Sequence, residues 1–205
     1  MSKDLYDAMV RAPMVAQPLI FAFHGTGGNE AQLFEMISQR VTGAGVVSPR
    51  GDIEDRGGAR FFRRMEEGDH DLDDLARATH KMVAFVEAHL ADVRGHPVYA
   101  FGYSNGANLL ASVLMARPDL FQRVALLHPT ANWNFDTSAN LSGRKVLVTG
   151  GQRDFIAPVA GIEPLTTWLA DAGADVATEF HDGGHELRNT EWTAIGSLFG
   201  ANGPS

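Results

Sequence analysis

The segment Gly102-Tyr103-Ser104-Asn105-Gly106 constrains this chain more than any other. It directly follows the apolar run Val98-Tyr99-Ala100-Phe101 and precedes an equally apolar stretch, Ala107 to Met115. The order is strand, sharp turn, helix, with a serine at the tip of the turn. A tip residue in such a turn is held in a sparsely populated backbone conformation. Its flanking residues approach a neighbouring strand and helix so closely that side chains would collide, which accounts for both glycines.

The rest of the chain repeats this theme. Short apolar runs alternate with longer segments of helical period, the pattern of a parallel sheet covered on both faces. Strands are predicted at Leu19 to Phe23, Val46-Val47, Val98 to Phe101, Val124 to Leu127, Val146 to Thr149 and Val176 to Phe180. Helices are predicted at Ala31 to Val41, Leu72 to Val93, Ala107 to about Ala116, Leu165 to Ala172 and Leu187 to Phe199. Arg117-Pro118 stops the third helix, and Gly173 is the C-cap signal of the fourth. Arg50 to Asp71 reads as irregular, Pro129 to Ser142 as a loop, and residues 5 to 17 as ambiguous, with an edge strand as one outcome. No domain boundary is visible, so residues 1–205 read as one α/β domain.

Composition narrows the chemistry. A length of 205 residues with 44% hydrophobic content suffices for one sizeable core. The absence of cysteine excludes disulfides, thiolate metal sites and a cysteine nucleophile, and fits a reducing cytoplasm. Met1 to Asp7 has no apolar core of signal-peptide length, and no run is long enough for a membrane span. A net charge of −8 disfavours general affinity for nucleic acid or an anionic membrane.

A serine hydroxyl needs a base, and the base needs an orienting carboxylate. Asp154 follows the strand at Val146 to Thr149, and His185 follows the strand at Val176 to Phe180. Both stand past C-terminal strand ends, where open α/β sheets bind ligands. Ser104, Asp154 and His185 are therefore the candidate catalytic set, with His181 the rival base. Asp171 and Asp175 read as solvated, as do His70, His80, His89 and His96, and Asp182 lies too near His185 in the same loop to orient it. The spacing of His181, Asp182 and His185 hints at a metal, but the glycines between them disfavour one helix face and no fourth ligand is evident. No metal and no cofactor are expected. An oxyanion needs two backbone N–H groups. Asn105, following the serine, supplies one, and Thr26 in His24-Gly25-Thr26-Gly27-Gly28 supplies the other. His24 reads as a residue that organises this loop. The loop lacks the lysine of a phosphate-binding loop.

With these residues in view, the chain resembles the small bacterial serine hydrolases of the carboxylesterase/phospholipase type. These are α/β-hydrolases related to dienelactone hydrolases and acyl-protein thioesterases. The resemblance rests on the loop at 24–28, the elbow at 102–107, Gly150-Gly151-Gln152-Arg153-Asp154 and Gly183-Gly184-His185-Glu186. Ser48-Pro49-Arg50-Gly51 and Arg60-Phe61-Phe62-Arg63-Arg64 resemble one bacterial branch. It runs from about Leu19 to Phe199 and implies an α/β-hydrolase fold. The segment between the strand at Val124 and the acid loop is too short for a lid domain.

The expected function is hydrolysis of short-chain or aromatic esters by a Ser-His-Asp triad through an acyl-enzyme. The alternative is lysophospholipase or acyl-protein thioesterase activity on longer chains. A non-catalytic binding protein of this fold would have lost a triad member, and all three are present. The expected partner is a small-molecule ester. A homodimer is compatible with the sequence, because helix faces that pack in a dimer read as core. Candidate pocket walls are Phe61, Phe62, Arg63, Trp133, Phe155 and Ile156. Arg63 and Arg64 either pair with Glu66, Glu67 or Asp69, or turn one guanidinium into the mouth to hold a substrate carboxylate.

Overall fold

Apolar runs too short for helices and rich in Val, Phe, Leu and Ala pair into one seven-stranded sheet in the computed structural model, which describes residues 2–55, 57–65, 69–131 and 133–200. The strands are β1 (Ala8–Arg11), β2 (Leu19–Phe23), β3 (Gly45–Pro49), β6 (Val98–Tyr103), β7 (Arg123–Leu127), β8 (Lys145–Gly151) and β9 (Asp175–His181). Their order is β1-β3-β2-β6-β7-β8-β9. All pairings are parallel except β1 with β3. The ambiguous N-terminal segment therefore forms an antiparallel edge strand.

Burial on both faces explains why β2 and β3 show no alternation: every residue of each is buried. The two faces feed two cores. Leu19, Phe21 and Phe23 of β2 point to the core shared with α2 (Leu72–Leu90), α3 (Asn105–Ala116) and α4 (Val159–Asp171). Ile20 and Ala22 point to the core beneath α1 (Glu30–Arg40) and α5 (Asn189–Phe199). This period-2 division of one apolar strand makes the fold a three-layer α/β/α sandwich.

Two elements differ from the sequence prediction. Residues 50–71 are partly regular: β4 (Ile53–Asp55) and β5 (Gly58–Arg60) form a short hairpin. An antiparallel bridge from Ala59 to Gly28 ties it to the loop after β2. Helix α4 begins at Val159, six residues before the predicted start, and encloses Pro164. A proline inside a helix costs about 3 kcal/mol. The helix also buries Ile162, Leu165, Trp168 and Leu169. Each such side chain contributes about 1.5–3 kcal/mol, so burial outweighs the local penalty.

Candidate active site

Parallel strands put the C-terminal ends of β2, β6, β7, β8 and β9 on one edge of the sheet, and the site is built there. Ser104 caps β6 with φ 52° and ψ −112°, a conformation an L-residue adopts only under constraint. Its N–H donates to the Leu127 carbonyl at 2.9 Å, which locks the turn to β7. The flanking glycines are obligatory. A Cβ on Gly102 would stand 2.5 Å from the Gly106 carbonyl oxygen, and one on Gly106 would stand 2.2 Å from that of Phe23.

The hydroxyl of Ser104 lies 2.9 Å from His185 Nε2, and His185 Nδ1 lies 2.7 Å from Asp154 Oδ2. Asp154 Oδ1 accepts the Ile156 and Ala157 amides, each at 2.8 Å. Burial pushes the Asp154 carboxyl up, but donation from His128, Ala157, His185 and Ile156 outweighs it and sets the pKa at about 2. Tyr103 donates its hydroxyl to the His185 carbonyl and so fixes the loop that carries the imidazole. The three predicted residues, 31 to 81 positions apart in sequence, thus form one hydrogen-bonded line.

Among the described residues neither the Thr26 nor the Asn105 backbone N–H has an acceptor. Asn105 is the first residue of α3, so the positive end of that helix points the same way. His24 is fully buried, with Nδ1 donating to the Gly25 carbonyl at 2.7 Å and Nε2 accepting the Gly51 amide at 2.9 Å. It organises the loop, as predicted. The Asn105 side chain accepts the Phe61 amide at 2.8 Å and thereby ties the elbow to the segment after β5.

Thr26, Ser104, Tyr103, His185, Ile156 and Arg64 line an open cavity of about 660 Å³, with Arg60, Asp55 and glycines of the hairpin completing the wall. Of the six pocket residues predicted from sequence, only Ile156 is among its lining. Phe61 and Phe62 are fully buried. Phe61 packs on His24, Phe23 and Tyr6, because β5 turns the chain inward there. Arg63 turns away to Asp71 and Asp74 at the start of α2, at 3.2 and 3.6 Å. Trp133 packs against His70 and Phe135 in the β7–β8 connection. Phe155 is 94% exposed.

Arg64 therefore lines the site where Arg63 does not. Arg60 pairs with Asp55 at 3.2 Å, whereas Arg64 has no carboxylate partner among the described residues; Glu66 and Glu67 lie outside them. His70 and His89 are buried rather than solvated. Burial lowers the pKa of each below the ordinary imidazole value.

Sequence reasoning passed over His128 and Glu191. Both are buried behind Asp154. An imidazole after an apolar strand run was the available signal for His128, and an acid three residues into a helix reads as an ordinary capping residue.

A serine on a strained elbow at the carboxyl edge of a parallel sheet, in line with a histidine and an acid from later strands, defines an α/β hydrolase. Residues 6–193 match the model of the dienelactone hydrolase family. The chain belongs to that family and is a hydrolase enzyme. It is 32% identical over 175 residues to MhqD of Bacillus subtilis, a protein named as a hydrolase, covering 84% of this chain and 88% of MhqD. The crystal structure of Atu2452 from Agrobacterium tumefaciens, a protein of unknown function, superposes with a TM-score of 0.93 at 41% identity, over 99% of this chain and 100% of that one. The Bacillus cereus carboxylesterase superposes with a TM-score of 0.88 at 30% identity, over 95% and 93% of the two chains. No helix among the described residues is long and apolar enough to cross a membrane.

Proposed function

We propose that the protein is a serine carboxylesterase acting on short-chain or aromatic esters. The observation that carries this reading is the continuous hydrogen-bonded line from the Ser104 hydroxyl through His185 to Asp154. Ser104 attacks the ester carbonyl as His185 Nε2 takes its proton. Asp154 holds His185 with Nδ1 protonated and stabilises the imidazolium that forms. The Thr26 and Asn105 amides receive the oxyanion. His185 returns the proton to the departing alkoxide, and water, activated by the same imidazole, releases the acid from Ser104. A thioester would follow the same path with a thiolate leaving.

The open mouth and the cavity of about 660 Å³ suit an acyl group of a few carbons or one ring. Activity on longer acyl chains would need an apolar groove, and this wall carries Arg60, Arg64 and Asp55. A fluorophosphonate probe should label the wild-type protein on Ser104 and leave Ser104→Ala unlabelled. Ser104→Ala should lose ester hydrolysis about 10⁴-fold or more while remaining folded. Retention of a few per cent of activity in pure protein would reject the assignment. A series of p-nitrophenyl esters should show kcat/KM highest between about two and six acyl carbons. A rise toward palmitate would favour a lysophospholipase or acyl-protein thioesterase instead.

A further inference from the structure

Behind the Ser104–His185–Asp154 line lies a second imidazole that the esterase mechanism does not use. His128 directly follows β7 with φ 50°, and its N–H donates to the Thr149 carbonyl at 3.1 Å. Its Nδ1 is 2.8 Å from Asp154 Oδ2, the oxygen that also faces His185. Its Nε2 is 3.1 Å from Glu191 Oε1, a contact too oblique to be a hydrogen bond but close enough for an ion pair. Both carboxylate side chains are fully buried.

Each carboxylate is surrounded by donors. Besides His128, Asp154 accepts from His185, Ile156 and Ala157. Glu191 accepts the Thr149 hydroxyl at 2.5 Å and the Arg188 amide at 2.7 Å. His181 Nε2 is 3.2 Å from Glu191 Oε2. The Gly183 amide donates to His181 Nδ1 at 3.0 Å, so the ring proton of His181 sits on Nε2, toward Glu191. Both acids are thereby held as carboxylates, and His128 stands between them. A neutral imidazole would turn one lone pair toward a carboxylate oxygen about 3 Å away. Only the doubly protonated ring serves both neighbours.

We propose that His128 is a buried imidazolium that positions the triad: it fixes Asp154 Oδ2 as the acceptor for His185 and sets a positive charge behind the base. The proposal rests on His185 being the general base. The ring centroids of His128 and His185 are 5.1 Å apart. The cluster of Asp154, His128 and Glu191 carries the net charge of one carboxylate. Burial opposes a charge on His128, but its hydrogen bond to Asp154 and the negative charges of Glu191 and Asp154 outweigh it and raise its basicity.

Other ionisable groups face the same space. Tyr103 lies 5.8 Å ring to ring from His128 and 5.3 Å from His185, and its phenol stays neutral, pushed up to about 12. His181 is 5.4 Å from His128. Arg60, Arg64 and Asp55 share the cavity wall with His185, and Glu186 follows it in sequence. None of these lies between His128 and either carboxylate. His128, His181 and Glu191 also have the spacing of a metal site. The proton on His181 Nε2 opposes coordination there.

The test is the pH dependence of log(kcat/KM) for the wild type, His128→Asn and Glu191→Gln. Asparagine tolerates the left-handed backbone at 128 and carries no charge. Glutamine at 191 can offer an N–H to His128 Nε2, which lets the ring go neutral while its Nδ1–H bond to Asp154 remains. The acid limb should move up by about one pH unit in His128→Asn, where a cation about 5 Å from the base is lost and both anions remain, and by less in Glu191→Gln, where an anion is lost with the cation. A limb unchanged in folded His128→Asn would overturn the proposal.

Should His128→Asn fail to fold, Glu191→Gln and proton–nitrogen NMR of Ser104→Ala decide. One side chain should keep both ring N–H groups from about pH 5 to pH 9, beyond the ordinary imidazole range, and Glu191→Gln should abolish that signal. A neutral ring at position 128, or a ring that shifts on adding zinc and recovers with EDTA, would overturn it. The NMR result is independent of activity. Failure of the esterase reading would show instead as activity retained by Ser104→Ala.

Discussion

Single positions at this site are decided by atoms too close for alternatives. A Cβ at 106 meets backbone oxygens of Phe23 and His24 at 2.2 and 2.6 Å, and backbone cannot swing aside as a side chain would. Gly106→Ala should therefore destabilise by about 1–3 kcal/mol, an overpacking cost. Thermal unfolding should show a fall of several degrees; an unchanged Tm would mean that the elbow relaxes freely. The two neighbouring arginines make a contrast in the other direction. Arg64 shares the cavity wall with Ser104, whereas Arg63 is engaged with Asp71 and Asp74. For a hemisuccinate ester, Arg64→Ala should raise KM about tenfold, the roughly 1.4 kcal/mol of one charged contact. Arg63→Ala should leave that KM unchanged, and neither variant should alter hydrolysis of p-nitrophenyl acetate. Equal effects of Arg64→Ala on both esters would make it a structural residue.

Among the elements, the β4–β5 hairpin supports the loop that offers the Thr26 amide. Gly27 donates to the Ala59 carbonyl at 2.9 Å, and Ala59 donates to that of Gly28 at 3.1 Å. Gly58 lies against the loop so closely that a Cβ would stand 2.3 Å from the Gly27 carbonyl oxygen. Gly58→Ala should push outward the loop that carries Thr26, the proposed oxyanion donor. A displaced donor costs about 10²-fold in kcat, so kcat should fall by tens to a hundredfold while Tm moves by only a few degrees. The hairpin is short and rides on the surface of the sheet edge, so little core depends on it. Loss of Tm in proportion to activity would instead make the hairpin a stability element. Helix α5 has a comparable double role: it closes the core with Trp192, Ile195 and Phe199 and carries Glu191 in its first turn.

The whole molecule responds to pH through its buried groups. Burial lowers the pKa of His24, His70 and His89 in the folded state. Below about 6.5 the unfolded chain takes up protons there that the folded chain refuses, so stability falls as pH falls. His128 has the opposite sign. Its contribution is full below the unfolded value and fades as pH rises through its raised folded value. Three groups against one make acidification destabilising. For Asp52, Asp74, Asp154 and Glu191, burial raises the pKa, but hydrogen bonds, chiefly from basic side chains and backbone amides, lower it overall. Their contribution is present above the ordinary carboxylate value and is lost as pH falls toward the folded values, about 2 for Asp154. Calorimetry should show Tm decreasing from about pH 7 to about pH 5 and dropping steeply below about pH 4. A flat Tm between the first two would remove the buried histidines from the account.

Local patterns in the sequence determined most of the frame. The two glycines around Ser104, the glycine-rich loop after β2 and the apolar strand runs each have a cause within a few residues, so the fold class and the residues proposed for the triad and the oxyanion hole could be named from sequence. Tertiary structure decided what those patterns leave open. Phe61 and Phe62 look alike as pocket or core, and the turn at β5 sends both inward. Arg63 and Arg64 are adjacent, and backbone direction alone puts one on α2 and the other at the cavity. The fourth helix, predicted from Leu165, starts at Val159 because the burial of Ile162, Leu165, Trp168 and Leu169 outweighs Pro164 within it. His128 and Glu191 stand 63 positions apart by their numbering, on a strand end and a helix start. Only the stacking of β7, β8 and β9 beneath α5 brings an imidazole between two carboxylates, because short-range sequence carries no signal of which buried charges will meet.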